Sequence, residues 1–153
     1  VTRLLVPAVL AAGLFAGILA SGCGDDDDSH EVGGLVHDVH VHLDEWSVEV
    51  EPVTLEGAGE ITVGGHNHGT LPHQITVIKT DLDAADLPLD RVSVDVEAAG
   101  EEVFSIEVPP ADGDEGLQVG IADLDAGKYA FICNIPGHYQ QGMFASFEVT
   151  EAP

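Results

Sequence analysis

The sequence predicts an all-β protein, a Greek-key β-sandwich of seven to eight short strands in two sheets, and three observations carry that prediction. From residue 35 onward, apolar and polar residues alternate with a period of two. Glycine and proline interrupt the alternation at intervals that suit turns. Late in the chain, Asp125-Ala126-Gly127-Lys128-Tyr129 has the form of a tyrosine corner, in which a phenol is pinned back onto the turn that precedes a core strand.

The elements follow in order. Residues 1–22, VTRLLVPAVLAAGLFAGILASG, carry one charge, Arg3, and read as an export signal peptide. Leu19-Ala20-Ser21-Gly22-Cys23 resembles the lipobox of bacterial and archaeal lipoproteins, with Ala20 where leucine is commonest. Small residues suit a peptidase at the membrane surface, and the Cys23 thiol would take the lipid. Plain secretion is one alternative. An uncleaved anchor is another, since about 19 uncharged residues are just enough to span a bilayer. All three readings place the domain outside the cytoplasm. Residues 23–34, with four consecutive aspartates from Asp25 to Asp28, read as an acidic flexible tether.

Residues 35–151 form the folded domain. Val39, Val41 and Leu43 alternate with His40 and His42, and Trp46, Val48 and Val50 continue the pattern. Further strands are expected at 61–63, 75–78, 92–96, 103–108, 117–121, 129–133 and 144–149. Only Leu82 to Leu87, stopped by Pro88, hints at a short helix.

Charge removes whole classes of function. The chain has 28 acidic residues against four basic ones, and only Lys79, Arg91 and Lys128 lie beyond the signal. A nucleic-acid backbone binder is excluded, because nothing is present to neutralise phosphates. Disorder is excluded by a 44% hydrophobic content arranged in alternating runs. The carboxylates are spread along the chain rather than gathered in one patch, a halophilic pattern suited to high salt.

Cys133 is separated from Cys23 by the whole domain, and Cys23 has its own expected role. A spare thiol after export is a liability unless something holds it. The segment Cys133-Asn134-Ile135-Pro136-Gly137-His138-Tyr139-Gln140-Gln141-Gly142-Met143 spaces a thiolate, an imidazole and a thioether five residues apart. Upstream, Asn67-His68-Gly69-Thr70-Leu71-Pro72-His73-Gln74 brings a second histidine to the start of a strand. Two imidazole nitrogens, one thiolate and a weak thioether make a blue-copper donor set. A zinc site of one cysteine and two histidines is the competing reading, although the methionine and the apolar loop argue against an open position.

On these residues the chain resembles the cupredoxins, the type 1 blue copper family. Its five-plus-five ligand spacing is similar to that of the rusticyanins and auracyanins, and its lipobox and acidity to the halocyanins. The resemblance covers about residues 35 to 150 and implies one copper ion (Cu+/Cu2+). It makes His73, Cys133 and His138 the equatorial ligands and Met143 the axial one. It also implies that Asn67 ties down the loop before His73, and that Gly69, Leu71 and Pro72 line the mouth. Gln74 departs from the asparagine or small polar residue commoner there, and Asn134 stands beside the ligand cysteine.

With all donors supplied by the protein, no position remains for a substrate, so the expected activity is outer-sphere one-electron transfer and not enzymatic turnover. The alternative is a copper-binding or copper-delivery protein whose cargo is the metal. Electrons would pass at the His138 edge, within a rim of Ile135, Pro136, Tyr139 and Leu71 that meets redox partner proteins transiently. A monomer is expected, on the outer face of the cytoplasmic membrane or in the periplasm, held there by lipid on Cys23. His40 and His42, with His37 nearby and His66 and His68 beyond, have two readings: filling of a polar face, or a second, weaker metal site.

Overall fold

The computed structural model describes residues 30–32, 35–110 and 116–153. The signal-like segment, Cys23 and the aspartate run lie outside the described residues. Among the described residues no helix is long and apolar enough to cross a membrane.

The strands in chain order are β1 (His30–Val32), β2 (Leu35–His37), β3 (Val39–Asp44), β4 (Ser47–Glu51), β5 (Thr54–Glu56), β6 (Gly59–Asn67), β7 (His73–Lys79), β8 (Leu89–Asp90), β9 (Ser93–Val94), β10 (Glu101–Val108), β11 (Leu117–Leu124), β12 (Gly127–Ile132) and β13 (Phe144–Thr150). One main sheet runs β10-β7-β12-β13-β5 and the other β11-β6-β3-β4. The chain passes between them repeatedly, as a two-sheet sandwich requires. The main sheets hold nine strands rather than seven or eight. The addition is β5, three residues paired in parallel with β13, which is too short to show a period in the sequence.

The alternation on β3 and β4 does what the sequence predicts. Val39, Val41, Leu43, Val48 and Val50 point inward, where they meet Ile61 and Val63 of β6, Ile75 and Val77 of β7, Phe131 of β12, and Phe147 and Val149 of β13. Each such side chain contributes roughly 1.5–3 kcal/mol on burial. The tyrosine corner is present: Tyr129 donates its hydroxyl hydrogen to the Asp125 carbonyl at 2.7 Å.

β7 and β12 also carry apolar residues on their outer face. Their outward residues Ile78, Ala130 and Ile132 pack with Ala84, Leu87, Val94, Ala99 and Tyr139 in a second cluster. The excursion between β7 and β10 therefore covers the outer face of the larger sheet.

That excursion corrects the expected helix. Leu82 to Leu87 forms turns, while the helix α1 is Val96–Ala99. The Asp83 carboxylate accepts the Ala85 N–H, and the Asp83 carbonyl accepts the Asp86 N–H, both at 2.9 Å. These local bonds compete with a helix. Asp95 instead caps α1 by accepting the Ala98 N–H at 3.1 Å, so the strand expected through Val96 stops at Val94.

Candidate metal centre

The site sits where β7 begins and the β12–β13 hairpin closes. His73 is the first residue of β7, opposite Val108 of β10, and is fully buried. The loop before it is held from two sides. Asn67, also fully buried, accepts the Gly69 N–H at 2.8 Å and donates to the carbonyls of Leu71 (2.7 Å) and Val108 (3.2 Å). Glu45 accepts the N–H groups of Thr70 and Leu71. Those two donors hold its carboxyl below the usual carboxylate range.

Cys133 follows β12 directly. Its N–H donates to the Met143 carbonyl at 3.1 Å, so the first and last residues of the loop are bonded to each other. Between them, His138 donates its N–H to Ile135, Gln141 to His138 and Gly142 to Tyr139, each at 3.0 Å. Gly142 sits at φ +115° and Gly137 at φ +86°, both left-handed conformations that cost a side-chain-bearing residue energy.

The loop is also fastened to the excursion. Asn134 accepts the Val94 N–H at 2.7 Å and donates back to the Val94 carbonyl, while Gly137 donates its N–H to Val92 at 2.7 Å. Tyr139 accepts the Leu87 N–H at 3.0 Å and donates to the Ala84 carbonyl at 2.8 Å. Tyr139 is therefore an internal anchor, 5% exposed, and not part of the expected docking rim. Its hydroxyl points to the backbone groups that the excursion leaves unpaired.

Three ligand atoms converge. His73 Nδ1 and His138 Nδ1 are 3.2 Å apart, and Cys133 Sγ lies 3.4 Å from His138 Nδ1 and 3.8 Å from His73 Nδ1. Among the described residues they are the one group of three or more histidine, cysteine or acidic ligands whose donor atoms all lie within 4.8 Å of one another. The circle through the three atoms has a radius of about 2.0 Å, close to a metal–imidazole bond. Met143 is fully buried beside them, with its N–H directed at the His138 carbonyl. This donor set fits one type 1 copper ion.

The imidazoles are kept in the form that ligates, while the thiol must lose its proton to do so. Burial pushes both imidazoles down, and for His73 the neighbouring His138 adds to the effect while Glu45 and Asp44 oppose it. Burial pushes the Cys133 thiol up, opposed by the backbone N–H groups of Gln74 and Ile135. The Gln74 N–H reaches Sγ at 3.3 Å. Its side chain turns away to Ser105, so Asn134, and not Gln74, braces the cysteine loop.

Leu71, Pro72 and Pro136 are exposed and Ile135 is half-buried, giving an apolar mouth, while Gly69 is buried beneath it. His138 is 9% exposed. Sequence reasoning missed Trp46. The alternation places it in a strand, but it occupies the two-residue turn between β3 and β4 at φ +73°. Its ring, 41% exposed, stands edge-on to His138 with centroids 5.2 Å apart. Glu45 was missed with it. The available signal was the short polar step Asp44-Glu45 between two alternating runs, which reads as a hairpin turn.

No family model and no curated protein matches the sequence. Solved structures do. Rusticyanin from Thiobacillus ferrooxidans is 22% identical, with a TM-score of 0.55 over 81% of this chain and 87% of that one. Reduced auracyanin from the photosynthetic bacterium Roseiflexus castenholzii is 20% identical, with a TM-score of 0.51 over 72% of this chain and 94% of that one. The architecture of this chain is the cupredoxin fold.

Proposed function

We propose that the protein is an exported type 1 copper protein that passes single electrons between redox partners by an outer-sphere route. The observation that carries this reading is the convergence of His73, Cys133 and His138 on one point, with the chain's only methionine buried beside them. A copper ion held there would supply a Cu(I)/Cu(II) couple. The chain's own contribution is constraint. Asn67 and Glu45 fix the loop before His73, and Asn134 and Tyr139 fix the loop from Cys133 to Met143. Ligands held in this way keep one arrangement in both oxidation states.

The His138 edge, with Trp46, Leu71, Pro72, Ile135 and Pro136 around it, is the proposed surface for weak encounters with protein partners. We assign residues 1–22 to an export signal, Cys23 to lipid attachment and residues 23–34 to a tether, which would hold a monomeric domain at the outer membrane face or in the periplasm. The spread of acidic residues suits high salt. Among the described residues only one ion pair forms, Lys79 to Asp125 at 3.1 Å.

Copper titration of the purified protein is the test. One equivalent should develop an intense visible thiolate-to-copper band that Cys133→Ser abolishes and Cys23→Ser leaves in place. Stopped-flow reduction and reoxidation should then proceed with copper retained against a Cu(I) chelator. A colourless one-to-one complex refutes the type 1 assignment. Rapid loss of copper with slow electron exchange makes the metal, and not the electron, the cargo.

A further inference from the structure

Five histidines outside the metal centre share one face of the smaller sheet. Val39 and Val41 of β3 pair with Val63 and Gly65 of β6, and Val39, Val41 and Val63 point into the core. Strand alternation then sends His40, His42, Gly64 and His66 to the outer face. His42 is registered directly with His66. His68, two residues further on, shares that side, its N–H held by the Leu43 carbonyl at 2.8 Å. The His37 ring fills the space over Gly64 that a Cβ would need.

The rings form a continuous row. Centroids lie 4.1 Å apart for His40–His42, 5.2 Å for His42–His68 and 4.1 Å for His66–His68, with His37 6.3 Å from His40. At its inner end, both His37 ring nitrogens are buried with no hydrogen-bond partner among the described residues. Further along it, His42 Nδ1 and His68 Nε2 meet at 2.9 Å.

Plain filling of a polar face does not account for that contact. His42 lies opposite Glu49 across the β3–β4 ladder, yet its Nδ1 goes to another imidazole. An N–H···N bond needs one bare lone pair, so the two rings share a single proton between their facing nitrogens. A divalent cation between them would take a lone pair from each, the donor ring's hydrogen moving to its remote nitrogen. With metal–nitrogen bonds of about 2.0–2.1 Å, a 2.9 Å separation subtends an angle of about 90° at the metal. That is the cis angle of a tetragonal Cu(II) site, and it is tighter than a tetrahedral zinc site prefers.

We propose that His42 and His68 form a second metal site, chelating a borderline divalent cation, Cu(II) in preference to Zn(II). His40 packs against His42 and His66 against His68, each at 4.1 Å between centroids, and Glu49 lies opposite His42 on the facing strand. Both rings ligate as neutral imidazoles, the donor ring keeping its hydrogen on the remote nitrogen. The site is open where the Cys133 centre is closed, since His42 and His66 are half-buried and His68 is exposed. It therefore exchanges its metal with solvent, and it is independent of the type 1 reading.

The test is a Cu(II) titration of the full-length protein, buffered with glycine so that surface carboxylates do not compete, and followed by electron paramagnetic resonance. The wild type should take up two equivalents, the second with the large copper hyperfine splitting of a tetragonal nitrogen site. His42→Asn/His68→Asn should weaken the second equivalent by more than about 100-fold, beyond what loss of an outer partner alone does. Its first equivalent should be unchanged. His68→Asn, at an exposed position, gives the same direction without disturbing packing. Uptake by the wild type with no histidine-dependent tetragonal signal, or such a signal that survives both variants, overturns the proposal. A missing visible band with the histidine-dependent signal intact would count against the type 1 reading alone.

Discussion

Asn67→Ala tests whether the loop before His73 is held by one side chain. Asn67 is fully buried and uses its amide three times: it accepts from Gly69 N–H and donates to the carbonyls of Leu71 and Val108. A net hydrogen bond is worth about 1 kcal/mol, so removing three destabilises the copper-free protein by about 3 kcal/mol. The Val108 bond is buried and its carbonyl stays dry after truncation, which keeps the loss near the full sum. Urea unfolding of the copper-free protein is the assay, and the midpoint should fall by about 1–3 M at unchanged slope. Asn67→Asp should be worse than alanine. It retains the acceptor for Gly69 but sets a carboxylate against two carbonyl oxygens. A loss below about 1 kcal/mol for alanine would show that Glu45, through Thr70 and Leu71, holds the loop without help.

Four further outcomes follow from the site. Copper(II) uptake at neutral pH by the His42→Asn/His68→Asn variant should release about one proton, from the Cys133 thiol, because burial keeps both imidazoles neutral and the thiol protonated. Calorimetry in buffers of different ionisation enthalpy counts it, and a value near zero or two refutes the assignment. The same depressed imidazoles mean that unfolded chains bind protons which the folded protein refuses, so copper-free stability should fall as pH drops below 6.5. Trp46 is the only tryptophan and stands 5.2 Å from His138, so its fluorescence should be quenched in step with the first copper equivalent. Quenching that tracks the second equivalent instead would misplace the metal. Met143→Leu should raise the reduction potential and Met143→Gln lower it, both with copper retained, as voltammetry will show.

The sandwich was legible because a buried sheet face imposes a period of two, and Val39, Val41 and Leu43 keep it strictly. The ligand loop was legible because Cys133, His138 and Met143 are close in sequence and chemically unusual together. What stayed hidden depended on distant partners. Tyr139 sits in a loop rich in ligands and reads as rim, but its hydroxyl is claimed by Ala84 and Leu87, more than fifty residues away. Trp46 continues an apolar alternation on paper, while a left-handed backbone turns it out toward His138. Leu82 to Leu87 carries helix-compatible residues, but Asp83 prefers bonds to its own neighbours. Local propensity and patterning see none of these.

The bond from Cys133 N–H to the Met143 carbonyl continues the β12–β13 ladder one step past the Ile132–Phe144 pair. The ligand loop is thus a hairpin tip whose two bonded ends, Cys133 and Met143, are themselves ligands. Such a tip can be lengthened, shortened or exchanged for another without breaking a strand pair below it, so the scaffold and the coordination sphere can be altered separately. The separation is limited by Asn134, Gly137 and Tyr139, which bind the segment from Ala84 to Val94. A transplant of this centre onto another sandwich must therefore carry three pieces of chain: the tip, the strip that it rests on, and the loop that brings in His73.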